Sequence, residues 1–347
     1  MKQVDHIEPA ANPGKKTRFR PSWILFFLFV GVLIAIPQLT SNNYLITILV
    51  NCMAFAIFGL CWNIIGGYGS QISWSSSAFV AIGAYSNYIM SVDFNISPFL
   101  SIPVGMLLSY LMATLVGYGT FKLRGVYFSI ATIAFAETLR SAIQYFSDFT
   151  KGTAGIYVTF RGDNFWFLTF RKDSVFFYIM LVLMLLALLF TKLFTRSKTG
   201  YYLSAIKGNE VAAESLGIET FKVKLRAFQI SAVLLSIAGC FYASFLTYIS
   251  PASTASLDLS IKIGVVAIIG GIGTLWGPVL GAFIVIPLIE LAGSLLGQSG
   301  SSNVLYGLLL IVIVIFRPKG VISLIDAVVH RFRRGREHTT AKQEVNP

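Results

Sequence analysis

The sequence predicts an all-α, polytopic integral membrane protein of about ten transmembrane helices with glycine-rich breaks. Three observations carry this. Of 347 residues, 55% are hydrophobic and only 12% are charged, against about 25% charged in an average soluble domain. Apolar runs of roughly bilayer-crossing length, about 20 residues, recur along most of the chain. The basic residues behind the net charge of +12 sit in short clusters between those runs and at both ends. With a mean hydropathy of +0.74, the chain has too little polar surface to cover a water-soluble body of its size. Disordered, coiled-coil and most soluble-enzyme classes are thereby excluded, and the charge pattern fits a membrane protein better than a nucleic-acid binder.

Ten runs are read in order: Ser22–Leu39, Tyr44–Ile65, Ser76–Val92, Pro98–Tyr118, Val126–Phe146, Val175–Phe194, Leu225–Thr247, Ser260–Leu275, Pro278–Leu296 and Val304–Phe316. The first has a basic flank, but no A-x-A-like cleavage site follows Leu33–Gln38, so it is expected to be a retained anchor. The eighth and tenth are short for a full crossing and need extension by neighbours, little tilt, or a re-entrant path. The organisation expected is a basic tail (1–21), a transmembrane domain (22–316) with a long polar loop (196–226), and a second basic tail (317–347).

Charge sets the orientation. The N-terminal tail holds Lys2, Lys15, Lys16, Arg18 and Arg20. Lys122 and Arg124 lie between runs four and five. Lys192, Arg196, Lys198, Lys207, Lys222, Lys224 and Arg226 lie between or at the edges of runs six and seven. Arg317, Lys319, Arg331, Arg333, Arg334, Arg336 and Lys342 follow run ten. These regions hold 21 of the 27 Lys and Arg. Ten spans put all of them, and both termini, on the cytoplasmic side, whereas nine or eleven would put a cluster outside. The opposite face receives Asp93, a mixed-charge segment from Asp148 to Asp173, and Asp258.

No enzyme site is visible. Cys52, Cys61 and Cys240 lie in apolar runs without CxxC spacing, and His6, His330 and His338 lie in the tails, so no metal, disulfide or cofactor is expected. No GxxxxGK[ST] phosphate loop occurs, so ATP hydrolysis by that route is excluded for this chain.

Function is expected where the backbone is irregular, because hydrocarbon penalises unpaired N–H and C=O groups. One such stretch runs Gly66-Gly67-Tyr68-Gly69-Ser70-Gln71-Ile72-Ser73 and continues into Ser75-Ser76-Ser77. The other runs Gly270-Gly271-Ile272-Gly273-Thr274-Leu275-Trp276-Gly277-Pro278 and continues to Gly281. Both follow Ile-Ile, and the shared IIGG-x-G suggests an internal repeat at an offset of 204 residues. Two readings stay open. Glycines can unwind helices and expose backbone to a polar pathway, with Gly66, Gly67, Gly69, Gln71, Ser73, Ser76, Gly270, Gly271 and Gly273 as its lining. They can equally form tight turns or close helix crossings. The hydroxyl- and amide-rich but uncharged Ser70–Ser77 suits a neutral or zwitterionic solute. Glu137 and Arg140, at i, i+3 within run five, are expected to form an intramembrane ion pair that locks packing, or else to contact solute or a partner. Glu290 is expected near the outer interface or paired with Lys262.

The 196–226 loop predicts a short helix over Glu210–Leu216. Asn209 is its N-cap, Glu210 favours the helix dipole, and Gly217 is the C′ stop. Ala212 and Ala213 give it a low face, which suits either a lever entering a groove on another protein or an ordinary surface helix.

Val211-Ala212-Ala213-x3-Gly217, with acids at Glu210 and Glu214, resembles the EAA loop of ATP-binding-cassette (ABC) importer permeases. More specifically, the chain resembles LivM-type permeases of branched-chain amino-acid importers. The resemblance runs through Gly59–Tyr85, Thr132–Arg140, Gly200–Gly239, Ile249-Ser250-Pro251, Gly270–Ala282, and Tyr306-Gly307 through Arg317-Pro318-Lys319-Gly320. It implies a non-catalytic, ten-span permease subunit in a bacterial inner membrane. Its implied partners are a second permease, two cytoplasmic ATPases and an extracytoplasmic binding protein, with Asn209, Glu210, Ala212, Ala213, Glu214 and Gly217 at the ATPase contact. The chain departs from the family at Trp74-Ser75-Ser76, where Leu-Gly-His is usual, and at Thr150-Lys151-Gly152-Thr153-Ala154-Gly155, where Thr-Gly-Gly-x-x-Gly is usual. Relatives carrying urea or short amides share most of these motifs, so the expected solute is leucine, isoleucine or valine, with urea or a short amide as the alternative. An ion-coupled secondary carrier is the competing class, and it leaves the EAA-like loop unexplained.

Overall fold

A computed structural model describes residues 21–40, 42–123, 125–158, 162–296, 307 and 320–322. The basic tails except residues 21 and 320–322, Arg124, and all of the tenth expected run except Gly307 lie outside the described residues. The chain divides into two units after Asn42. The first holds helix α1 (Pro21–Leu39), which carries Pro37 in its last turn.

The second unit is a helical bundle. Its helices are α2 (Asn43–Asn63), α3 (Ser76–Val92), α4 (Pro98–Thr120), α5 (Val126–Tyr145), the short α6 (Ser147–Thr150), α7 (Asp173–Thr195), α8 (Lys198–Gly208), α9 (Glu210–Ser215), α10 (Thr220–Leu246), α11 (Pro251–Thr254), α12 (Leu257–Gly271) and α13 (Gly277–Leu296). The strands are two residues each: β1 (Ile156–Tyr157) pairs antiparallel with β2 (Tyr248–Ile249). The protein is therefore all-α in substance.

Among the described residues, seven helical stretches are long and apolar enough to cross a bilayer: Asn43–Tyr68, Pro98–Thr120, Val126–Tyr145, Asp173–Thr195, Thr220–Leu246, Pro251–Gly271 and Gly277–Ser294. The expected count of ten is thus not reached among them. The expected third span is a helix of 17 residues, short because a non-helical segment precedes it inside the bundle. The short eighth run is lengthened on its N-terminal side. There Ser250 and Ser253 cap each other around Pro251 in a reciprocal box, which starts α11 and leads into α12.

Burial separates centre from periphery. In Asn43–Tyr68, 72% of the apolar window is buried, against 22% in Pro98–Thr120 and in Val126–Tyr145, so α2 is central and α4 and α5 are outer. The α3–α10 crossing is built on small residues. An ideal Cβ on Gly83 would lie 1.9 Å from the Ser236 carbonyl oxygen, and one on Gly239 would lie 2.3 Å from that of Val80. Only glycine allows this approach, as in small-residue crossings of membrane helices. Asn87 Nδ2 donates to the Cys240 carbonyl (2.9 Å) and to Ser244 Oγ (2.8 Å), and Tyr88 Oη donates to the Ala243 carbonyl (2.9 Å). All three cysteines are free and buried, as their apolar context predicts.

With 23 residues, α7 is about 34 Å long at 1.5 Å per residue. Residues 162–172, which lead into α7, and the α8–α9 segment that follows it therefore lie at opposite ends of the bundle.

Candidate functional site

The two glycine-rich stretches meet at the end of the bundle that carries α8 and α9. The first begins where α2 gives way to a π-helical turn over Ile64–Tyr68. Extra turns of this kind inside α-helices are frequent at functional sites. Gly66 lies under the Trp62 ring, and an ideal Cβ on Gly67 would sit 1.8 Å from Asn63 Oδ1 and 2.6 Å from the Gly273 nitrogen. The second stretch ends α12 at Gly271 and turns through Gly273, whose φ of +73° is a conformation glycine adopts freely.

Asn63 joins them. Its Oδ1 accepts from the Gly273 N–H at 2.8 Å and its Nδ2 donates to the Thr274 carbonyl at 2.9 Å. The residue is 0% exposed. One side-chain amide thus satisfies a donor and an acceptor that the broken α12 leaves open. Lys207, in the last turn of α8, donates from Nζ to the Gly67 carbonyl at 2.8 Å. Although the 70–77 stretch carries no charge of its own, the fold brings a cation to the adjoining break.

From Ser70 (φ +51°) to Ser75 the chain is non-helical and turns back into the bundle. It ends where Ser77 meets Ser260: Ser77 N–H donates to Ser260 Oγ at 2.9 Å, and Ser260 Oγ donates to Ser77 Oγ at 2.8 Å. Ser260 precedes Gly271 by eleven helical residues, so this segment climbs about 16 Å along α12. Its backbone is satisfied from neighbouring helices, as non-helical backbone at membrane depth requires. Trp62 Nε1 donates to the Ser73 carbonyl (2.7 Å), Ser129 Oγ donates to the Ile72 carbonyl (2.7 Å), and the Trp74 N–H donates to Thr132 Oγ1 (3.1 Å). The Gln71 N–H reaches the Ile65 carbonyl at 3.1 Å. Ser73 and Ser76 are buried.

The expected lining residues thus divide. Gly67 and Gly273 face each other. Gly66, Gly69 and Gln71 shape the turn that leaves α2. Gly270 serves a close crossing instead: its ideal Cβ would lie 1.7 Å from the Gly277 carbonyl oxygen and 2.9 Å from the Gly281 nitrogen. Gly271 packs against Gly320, whose own ideal Cβ would fall 2.6 Å from Gly271 Cα. Turn, crossing and break therefore occur together, and the shared IIGG-x-G has a structural counterpart, since each copy terminates a helix at the same junction.

The loop helix forms as its caps dictate. In α9, Asn209 Oδ1 accepts from the Ala212 N–H at 3.1 Å. Gly217 has φ +82°, its N–H bonds the Glu214 carbonyl, and the Ile218 N–H bonds the Ala213 carbonyl. Glu210 pairs with Lys224 of α10 at 2.6 Å, Glu214 accepts from Thr220 Oγ1 at 2.7 Å, and Ala213 is buried at 3% exposure. Ala212, Val211 and Leu216 face outward, the last at 82% exposed. The sequence did not indicate α8, whose polar Lys198–Gly208 stretch reads as loop. Nor did it single out Asn63, Lys207 or Lys224.

Glu137 and Arg140 approach to 3.6 Å, with side chains 43% and 33% exposed. The pair forms, but on a half-exposed face of α5 rather than in the interior. Among the described residues Arg140 Nε is buried without a hydrogen-bond partner. Lys262 pairs with Asp258 one helical turn away at 2.7 Å. Of the two placements expected for Glu290, near the outer interface or paired with Lys262, the second is not the one Lys262 takes up, since its partner is Asp258.

The family described as "Branched-chain amino acid transport system / permease component" matches residues 44–314. The chain belongs to this family. The permease is 25% identical to the high-affinity branched-chain amino acid transport system permease protein LivM of Escherichia coli K12, over 92% of its own length and 82% of LivM. It is 26% identical to the LivM of Salmonella typhimurium LT2, over 86% and 75%. It is also 26% identical to the ribose import permease protein RbsC of Haemophilus influenzae Rd, over 75% and 76%. No solved structure matches the chain. Membership makes the permease a multi-pass, non-catalytic subunit of ABC-transporter type.

Proposed function

We propose that this permease moves branched-chain amino acids (leucine, isoleucine or valine) inward across a bacterial inner membrane. In this reading it works beside a second permease, two cytoplasmic ATPases and an extracytoplasmic binding protein. The observation that carries the proposal is the family match over 44–314, joined by two LivM relatives that align along most of the chain. Both termini and the α8–α9 segment lie on the cytoplasmic side, in keeping with the Lys and Arg clusters. There α9, with Asn209, Glu210, Ala212, Ala213, Glu214 and Gly217, engages an ATPase through the face that carries Val211 and Leu216. The breaks at Gly67 and Gly273, with Gln71 and Ser73 above them, border the pathway. The half-exposed Glu137–Arg140 pair faces the second permease.

A zwitterion that is passed along needs no fixed strong charge, since selection can rest with the binding protein. The hydroxyls and amides of 70–77 suit such a solute. The ribose import permease match makes a pentose the competitor to test beside urea and short amides. The experiment is uptake of labelled leucine in cells with and without this gene, competed by isoleucine, valine, ribose, urea and acetamide. Loss of leucine uptake on deletion, with competition by isoleucine and valine alone, is the expected result. Leucine uptake that survives deletion while ribose or urea uptake is lost overturns the amino-acid assignment.

A further inference from the structure

We propose that Lys207 is a positioning residue that ties displacement of α9 to the paired glycine breaks, holding the Gly67 carbonyl beside Gly273 in the state seen here. The proposal rests on the reading of α9 as the ATPase-contacting helix. Its evidence is the path of contacts. The acids of α9 bind α10 at Lys224 and Thr220. Asn209 ends α8 and starts α9 at once: its N–H bonds the Ala205 carbonyl and its Oδ1 caps α9. No slack separates the two helices, so a push on α9 reaches the last turn of α8, where Lys207 stands. The other end of α8 is seated on α7, where an ideal Cβ on Gly200 would lie 2.3 Å from the Phe194 carbonyl oxygen. Leu203 and Ile206 are buried beneath the helix.

Lys207 then spans from this helix to the junction. Its Nζ lies 2.8 Å from the Gly67 oxygen, and an ideal Cβ on Gly273 would fall 2.8 Å from the same Nζ. The ammonium therefore occupies the crease where both breaks touch. Lys207 as a whole is exposed. A cation on an exposed residue, held by a hydrogen bond to the Gly67 carbonyl, can release and rehydrate, which a buried strut cannot. That asymmetry fits a latch.

The test uses the whole transporter in proteoliposomes and reads solute uptake and ATP hydrolysis together. Four chains are compared: the natural one, Lys207→Met, Lys207→Arg, and Lys222→Met as a control whose surface partner is Glu219. Lys207→Met removes a charge-assisted hydrogen bond, and solute moved per ATP is expected to drop about tenfold while hydrolysis continues. Lys207→Arg restores most of that ratio, and Lys222→Met leaves it unchanged. The exposure of Lys207 makes the Met variant tolerable to folding, and yield of assembled complex checks this. A ratio within about twofold of the natural chain, whether both activities persist or fall together, overturns the latch, since loss of a charged contact is worth more than that. If the natural complex shows no solute-dependent hydrolysis at all, the importer reading fails and the latch with it. A coupled natural complex with an unaffected Met variant overturns the latch alone.

Discussion

Replacing Asn63 by leucine tests whether the two glycine breaks are held as a unit. Leucine keeps the branch at Cγ but has neither donor nor acceptor, and its two methyls are bulkier than the amide, which adds an overpacking cost of the same sign. Asn63 is wholly buried and makes two hydrogen bonds, to the Gly273 N–H and the Thr274 carbonyl. Each backbone group left without a partner in a buried place costs about 1–3 kcal/mol. Because Gly273 and Thr274 are half-buried, water recovers part of this, and the sum expected is about 2–4 kcal/mol. A change of that size is a large fraction of a domain's total stability of about 5–15 kcal/mol. The assay is equilibrium unfolding in mixed micelles with increasing denaturing detergent, followed by helicity. A companion variant, Gly67→Ala, puts a methyl where Asn63 Oδ1 now lies and is expected to disturb the same junction. Combined with Asn63→Leu its effect should depart from the sum of the two single effects, because residues sharing one contact are coupled. Stability of Asn63→Leu within about 0.5 kcal/mol of the natural chain, the range of ordinary surface changes, would refute the clamp.

Gly217→Val puts a β-branched residue at φ +82°, so α9 should lose its stop and uptake should fall well below the natural rate while the protein still inserts, read by transport assay and membrane fractionation. Glu210→Gln leaves the Lys224 side chain, 6% exposed, without its anion. Because Glu210 is itself 30% exposed, the expected destabilisation is about 1–2 kcal/mol, below the range for fully buried pairs, read by the same unfolding assay. Single cysteines at Lys198 and Thr153 should label from opposite sides of sealed vesicles, the first from the cytoplasmic face only. The three native thiols are buried and keep the background low.

Local chemistry was legible in the sequence and long-range chemistry was not. The caps of α9 could be read because Asn209 and Gly217 act within a few residues of themselves. Class and approximate spans followed from hydropathy, which needs no partner. Of the ten expected spans, seven stand among the described residues as long apolar helices; the third run coincides with α3, which is short because a non-helical segment precedes it. The clamp at Asn63 joins residues 210 and 211 positions apart, and nothing near Asn63 announces it. The shared IIGG-x-G was the one available hint that the breaks belong together. Lys207 was counted only as a positive charge among others, since sequence gives a cation's sign but not the carbonyl it reaches.

The non-helical 70–75 segment also sets an order of assembly. Trp62 and Ile65 precede it, but other partners are made later: Thr132 is 58 residues further along than Trp74, and Ser260 is 183 further than Ser77 at the start of α3. At about 5–20 residues per second of synthesis, Thr132 arrives roughly 3–12 s later and Ser260 roughly 9–37 s later. Until then the N–H and C=O groups of the segment need water or the insertion machinery for company, because hydrocarbon offers none. The first half of this permease is therefore committed to waiting at the site of insertion for α5, and its start of α3 for α12. Truncations that end before Thr132 should stay extractable or be degraded, however apolar α2 and α3 are.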